Sequence, residues 1–271
     1  MFYADLKEIK PAVFKRLTGV APATFAAMCE ALQKHLPSGG RAPKLCLADR
    51  LLLTLMYWRE YRTQFHIGQA YHVSEATVSR TTRAVEDALL RSGQFTLPGK
   101  KALTKSDLAY QIVVVDATEC PVERPKKKQR PSYSGKKRRH TQKAQVVADK
   151  RTGRIIATAF SAGKLHDFKL FQQSRLPLGP QTQCLADSGY LGLSKGHQNS
   201  RLPQKKSKHH PLTPQQKAAN RQLAKERFMI EHVIGRLKIF RILSERYRNR
   251  RRRFGLRFNL IAALYNLDRP L

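Results

Sequence analysis

Residues 110–121, YQIVVVDATECP, constrain this chain more than any other stretch. Ile112, Val113, Val114 and Val115 form an unbroken β-branched run, which suits a strand buried on both faces. The run ends at Asp116. A charge at the end of a buried strand is costly to desolvate unless something pairs with it, and a metal ion is one such partner. A second segment repeats the design, with Cys184, Leu185 and Ala186 leading into Asp187 and then Ser188, Gly189 and Tyr190. A third carboxylate, Glu231, sits on a long amphipathic helical stretch near the C-terminal end. Singly, a strand-end aspartate is more often a turn or cap residue. Together the three suggest a metal site that works on phosphate.

The charge balance supports that reading. The 271 residues include 52 Lys and Arg against 19 Asp and Glu, a formal net charge of +33. Solubility needs far less, and a polyanion would relieve the self-repulsion; nucleic acid is the first candidate. A membrane surface is the competing polyanion. The sequence has no long apolar span, signal peptide or lipidation motif, so no membrane partner is expected. Hydrophobic residues make up 41%, enough for a sizeable core. Cys29, Cys46, Cys120 and Cys184 form no CxxC pair, which argues against a zinc ribbon or a disulfide framework and for a reducing, cytoplasmic location.

Residues 1–36 read as helical, with Gly19 stopping one helix and Pro22 opening the next. Residues 48–61 read as a helix with Leu51, Leu52, Leu55 and Trp58 inward. A short helix over 65–71, a turn at 73–74 and a longer helix capped by Ser74 follow in helix-turn-helix order. Val78, Val85 and Leu89 face its core. Glu75, Thr77, Ser79, Arg80 and Arg83 are left for solvent or a DNA groove. An ordinary helical hairpin with a solvated polar face would show the same pattern. Residues 125–139 form a basic tract, read as a loop or strand edge near DNA backbone, and the basic stretches 205–208 and 246–253 are expected to add phosphate-binding surface around the catalytic face. Residues 144–148 and 154–159 read as a hairpin, with Asp149 as a turn residue. Asp167 reads as a cap for the helix through Phe168, Leu170 and Phe171. Thr213, Pro214 and Gln216 mark the start of the helix carrying Glu231. The expected division is a helical region over 1–99, with the helix-turn-helix at about 47–92, and an α/β domain over 108–271.

The element order is strand–Asp, hairpin, helix, strand–Asp, long loop, helix–Glu. An RNase H-like mixed sheet would bring three such carboxylates together. Hard oxygen ligands favour Mg²⁺ or Mn²⁺, two ions, over zinc.

Four segments carry a family resemblance: VVVDATECPVERP around Asp116, SAGKLHDFKLF, LADSGYLG around Asp187, and RFMIEHVIGRLKIFR around Glu231. Together they resemble insertion-sequence transposases of the DDE superfamily, of the IS-five type related to Harbinger elements. Arg227, Glu231 and Lys238 fit the R-x3-E-x6-K spacing of related transposases, while Ala224 stands where many carry a tyrosine. QAYHVSEATVSRTTRAVEDAL resembles the helix-turn-helix that precedes the catalytic domain in such proteins. The resemblance implies metal-dependent hydrolysis at transposon ends, then transfer of the released 3′-OH into target DNA. It implies Asp116, Asp187 and Glu231 as the catalytic metal ligands. Arg227 and Lys238, on the same helical face as Glu231, would meet substrate phosphates; a salt bridge to Glu231 is their alternative role. Arg80 and Arg83 would contact DNA from the helix-turn-helix. The implied partners are double-stranded DNA, both transposon ends and target, and further copies of the chain assembled on it, in a bacterial cytoplasm and at its nucleoid.

Two other classes compete. A non-catalytic DNA-binding protein, a domesticated transposase or a regulator, would need no converging carboxylates. A structural RNA-binding protein would carry an RNP, KH or dsRBD signature, and none is present. Glu119, Glu123, His166 and Asp167 stay outside the expected metal set.

Overall fold

The computed structural model describes residues 2–37, 39, 42–104, 110–127, 129–206, 211–249 and 251–269. The start of the expected α/β domain at 108, and Lys128, Lys208 and Arg250 of the basic tracts, lie outside the described residues. The chain forms two compact units.

The first unit combines Met1–Thr96, Leu237–Arg246 and Arg253–Leu271. Helix α1 (Pro11–Thr18) ends at Gly19, whose φ of 87° is the left-handed conformation that glycine adopts without strain. Pro22 then opens α2 (Pro22–His35), where its missing N–H costs nothing. Helix α3 (Leu47–Arg59) buries Leu51, Leu52, Leu55 and Trp58 completely. Short α4 (Gln64–Ala70) and α5 (Glu75–Arg91) complete the helix-turn-helix. The α4–α5 turn is tight: a Cβ on Gly68 would lie 2.6 Å from the Val73 carbonyl oxygen. The Ser74 hydroxyl caps α5 by accepting the Thr77 N–H at 3.2 Å. Val78, Val85 and Leu89 are fully buried, while Arg80 and Arg83 are exposed.

Helix α8 (Phe254–Leu267) belongs to this unit through a buried ionic cluster. The fully buried Glu86 carboxylate of α5 accepts from Arg253 Nε and Arg257 Nε at 2.6 Å each, and from Trp58 Nε1 at 3.2 Å. Arg253 also pairs with Asp87. Arg253 is therefore held against carboxylates, although it lies in the arginine-rich 246–253 tract that reads from sequence as a phosphate surface.

The second unit combines Leu97–Arg236 and Tyr247–Arg252. Its sheet is built on β1 (Ile112–Pro121). Strand β3 (Arg139–Asp149) pairs antiparallel with β1, and β4 (Ile155–Ala162) antiparallel with β3. Strand β5 (Gln183–Leu185) lies parallel on the other side of β1, and β6 (Ser200–Arg201) parallel on β5. A two-residue strand, β2 (Tyr133–Ser134), pairs with the start of β3. Without β2, the spatial order is third, second, first, fourth, fifth. The first three strands are antiparallel, and the last two run parallel to the first. That is an RNase H-like mixed sheet behind an all-helical, helix-turn-helix region. Asp149 is a turn residue, accepting from the Thr152 N–H at 3.0 Å and the Thr152 hydroxyl at 2.6 Å. Val113 and Val115 pack with Val147, Ile156, Cys184 and Tyr190 in the core of this unit. Helix α6 (Asp167–Ser174) adds Phe171 to that core.

Helix α7 (Pro214–Lys238) starts at a capping box: the Gln216 N–H reaches Thr213 Oγ1 at 3.2 Å, and the Thr213 N–H reaches Gln216 Oε1 at 2.9 Å. Its residues through Arg236 count with the α/β unit, and Leu237 and Lys238 with the helical one.

Glu86→Ala strips the partner from two guanidinium groups, one of them buried. It is expected to destabilise the protein by about 3–5 kcal/mol. Urea denaturation checks this; a loss below about 1 kcal/mol would mean that the ionic cluster does not hold α8.

Candidate active site

The sequence motif at Asp116 becomes a site through sheet register. Val114 of β1 is aligned with Leu185 of β5. Two residues further along these parallel strands come Asp116 and Asp187. Neighbouring strands lie about 4.8 Å apart, so the two carboxylates leave the sheet side by side. Asp187 sits just past β5 in extended conformation and caps the following 3-10 turn, accepting the Gly189 N–H at 2.8 Å.

A third aspartate joins them. Asp167 does not cap α6 as expected; His166 occupies the cap position, and Asp167 is the first helical residue. Its Oδ1 accepts from Lys143 Nζ at 2.6 Å, and the same ammonium donates to the Leu165 carbonyl at 2.6 Å. Lys143 is buried on β3 and holds Asp167 in place. Gly189 shows how closely the acids approach. A Cβ there would lie 2.9 Å from Asp167 Oδ2 and 2.9 Å from Asp187 Oδ1. The glycine of the DSGY segment makes room for two carboxylates.

Electrostatics report the same cluster. Burial pushes the Asp116 carboxyl up to about 6; its own Ala117 N–H and the Arg227 guanidinium pull it down, and Asp187 and Asp167 push it up further. Tyr190 is fully buried beneath the cluster. Burial first, then Asp167, Asp116 and Asp187, raise its hydroxyl well above the usual tyrosine range, so it stays an O–H donor. That hydroxyl has no hydrogen-bond partner among the described residues, and neither does the buried Arg227 Nε.

Of the other residues expected in the site, Arg227 of α7 acts on Asp116 as a positive charge that lowers its carboxyl. Glu231 lies one helical turn beyond Arg227 on the same face, with an exposed side chain. Lys238 is the last residue of α7 and is half-buried. Glu119 accepts from Thr141 Oγ1 at 2.8 Å, and Glu123 is exposed. Sequence reasoning missed the Lys143–Asp167 pair. Its only sequence signal is an acid at the start of a helix inside the SAGKLHDFKLF segment, which a helix cap also explains.

Among the described residues, no three His, Cys, Asp or Glu side chains form a ready-made metal cluster. The donors that do converge nevertheless suit a hard divalent cation. They are carboxylate oxygens, one of them raised above the usual aspartate range by burial and then by its acidic neighbours, beside an unsatisfied tyrosine hydroxyl. No helix of the described residues is long and apolar enough to cross a membrane.

Strand β1 does not end at Asp116 as the sequence suggests but pairs with β3 through Pro121, so Asp116 lies midway along β1 while Asp187 follows β5. An RNase H-like sheet with aspartates so placed, in a chain with a helix-turn-helix, is the arrangement of a DDE-class transposase. Residues 107–267 match the family model for the transposase DDE domain, and residues 43–95 match the helix-turn-helix of DDE superfamily endonuclease. The chain is 45% identical over 268 residues to a probable transposase for insertion sequence element IS702 of Microchaete diplosiphon, covering 98% of this chain and 97% of that one. It is 26% identical over 248 residues to a putative transposase for element IS112 of Streptomyces albus G, covering 87% of each. Among solved structures, the Mos1 transposase paired-end complex with left transposon end matches with a TM-score of 0.28 and 13% identity, over 86% of this chain and 78% of that one. The chain belongs to the DDE transposase family of insertion sequences.

The raised Asp116 carboxyl has a consequence for stability. Its unfolded value is near 3.8, so between about pH 4 and 6 the folded protein binds the extra proton. This group's contribution is fully present below about pH 4 and is lost as pH rises through 6, by about 3 kcal/mol at most. Urea unfolding of the metal-free protein from pH 4 to 7 should show that fall, and Asp116→Asn should flatten it. Equal slopes for both proteins would remove the assigned burial of the charge.

Proposed function

We propose that this DNA transposase cleaves phosphodiester bonds at the ends of its element and joins the released 3′-OH to target DNA. The observation that carries the reading is that Asp116 and Asp187 each follow by two residues the aligned pair Val114 and Leu185 of parallel β1 and β5, with Asp167 and Arg227 acting on Asp116 as well. Asp116, Asp187 and, from α7, Glu231 would hold two divalent ions, Mg²⁺ or Mn²⁺. When bound, such ions supply charge neutralisation at the attacking and leaving oxygens. Asp116 and Asp187 present their oxygens toward the substrate side of the sheet edge. The Lys143 ammonium donates to Asp167 Oδ1 and orients that side chain beside the other two aspartates. Arg227 binds a non-bridging phosphate oxygen and orients the scissile group; Lys238 is proposed for a phosphate further along. In the first reaction water attacks phosphorus and the bond to the 3′ oxygen breaks. In the second the freed 3′-OH attacks a target phosphorus, and the target's own bond from that phosphorus to its 3′ oxygen breaks.

The helix-turn-helix would deliver this chemistry to double-stranded DNA, with Arg80 and Arg83 on the exposed face of α5. Arg83 donates to Ser79 Oγ at 3.0 Å, which orders its guanidinium along the helix. Working on two element ends and a target calls for more than one copy of the chain on the DNA. The high net charge supports a cytoplasmic protein that resides on the nucleoid. A non-catalytic binder remains the alternative function, and the clustered aspartates weigh against it.

Asp116→Asn should reduce Mg²⁺-dependent nicking of an end-containing duplex by several orders of magnitude while leaving end binding nearly unchanged. Nicking near the wild-type rate would sink the assignment. Arg83→Ala should weaken duplex binding by about 1–3 kcal/mol if it reads a base, with preference lost at particular positions. In gel-shift assays, a loss uniform across sequences would mark Arg83 as a phosphate contact only.

A further inference from the structure

One cavity of the α/β unit takes no part in the chemistry above. It has a volume of about 730 Å³ and is lined by Arg124, Gln129, Arg130, Tyr133, His140 and Lys164, among others. We propose that it holds one unpaired nucleotide of a DNA strand, the base against the Tyr133 ring and the phosphate on Arg124, Arg130 and Lys164. The proposal rests on the transposase reading for its choice of DNA.

Three features carry it. The first is Tyr133, a large aromatic residue left 45% exposed at a cavity wall. The ring is not loose: it meets the His140 ring edge-on, with centroids 5.5 Å apart and planes at 75°, across the β2–β3 pair. The strand beneath it is anchored by Arg251 donating to Ser132 Oγ at 3.3 Å, and by the Lys164 N–H donating to the Pro131 carbonyl at 3.1 Å. A held aromatic ring facing open space is a platform on which a base of any sequence can stack.

The second feature is charge. Arg124, Arg130 and Lys164 are exposed cations, and none forms an ion pair among the described residues. Arg124 donates through Nε to Gln129 Oε1 at 2.9 Å, which leaves its terminal nitrogens for an anion. Cations without carboxylates, beside an aromatic face, match a nucleotide better than a bare phosphate or an apolar ligand.

The third is position. The Val122 N–H donates to the His140 carbonyl at 2.9 Å, so the cavity lies at the far end of β1 from its opening valines. From Asp116 to Pro121 is five residues, about 17 Å of strand. That is about five base-pair rises, so a strand lying in the active site could reach the cavity with a nearby nucleotide. A nucleotide in a duplex has both base faces stacked and could not offer one to Tyr133. The pocket therefore selects an unpaired nucleotide, such as a nicked or displaced strand provides.

The test uses the metal-free full-length chain with a fluorescent oligothymidylate and, separately, a duplex of mixed sequence. Tyr133→Ala should weaken single-strand binding about tenfold and leave duplex binding unchanged, whereas Tyr133→Phe should bind like the wild type. Arg124→Gln together with Lys164→Gln should lower the single-strand salt slope by about 0.7 per cation removed. Because Trp58 is the chain's single tryptophan and is fully buried, Tyr133→Trp adds a reporter at the cavity. Its fluorescence should be quenched by the oligothymidylate and not by the duplex. Equal losses on single strand and duplex for Tyr133→Ala, or quenching by neither or by both, would overturn the proposal. These outcomes are separable from the transposase reading. Absence of divalent-metal-dependent nicking by the wild-type chain would remove that reading and leave the binding result standing, while unchanged single-strand binding by Tyr133→Ala would remove the pocket alone.

Discussion

The repulsion between carboxylates carried by neighbouring parallel strands, one within β1 and one just past β5, is the constraint that the rest of the α/β unit answers. Asp116 and Asp187 are brought together by the β1–β5 register, which the apolar runs ahead of them enforce. A one-residue slip of β5 against β1 would turn Asp187 to the face opposite Asp116. The surroundings then manage the charge. Arg227 supplies a positive neighbour to Asp116, the Lys143 ammonium ties down Asp167, and Gly189 leaves the space that two carboxylates need. The balance is incomplete: Asp116 stays well above the normal aspartate range. Incomplete compensation suits a site whose remaining partner is a cation.

Much of this arrangement was legible in the sequence, because it follows from local pattern. The β-branched run before Asp116, the Ser74 cap, the Asp149 turn and the Thr213–Gln216 capping box are all set by neighbouring residues. Each appears where the residue pattern puts it. The strand order also follows, since a hairpin and a crossover helix leave few ways to return to β1. What was not legible depends on contacts between distant residues. Lys143 reads as one more lysine among many, and Asp167 as a cap. Only the fold shows that β3 carries one 2.6 Å from the other. Gly189 reads as a turn glycine, yet its role is set by Asp167, 22 positions earlier in the sequence.

The arginine-rich tract near the C-terminal end shows the same limit. Composition makes 246–253 look like one continuous phosphate surface. In the fold its members serve different units. Arg251 reaches Ser132 in the α/β unit, and Arg253 is committed to Glu86 and Asp87 in the helical unit. Arginine suits both jobs because its planar fork can satisfy a carboxylate or a phosphate. Charge density alone therefore overstates the surface available to DNA.

With 19 acidic residues against 52 basic ones, the chain can pair only a minority of its cations. Where the acids are placed is therefore informative. Glu86 is fully buried and shared by two arginines, and Glu226 is shared by Lys150 and Arg201. These acids join segments that are far apart in sequence. Asp116, Asp187 and Asp167 do the reverse, collecting negative charge at one place in the sheet, with Arg227 and Lys143 to answer it among the described residues. A strongly basic protein has cations to spare and could have neutralised this place with one more lysine. The deficit persists at Asp116, Asp187 and Asp167 while the structural acids Glu86 and Glu226 have two partners each, which is the charge pattern that the proposed divalent ions would complete.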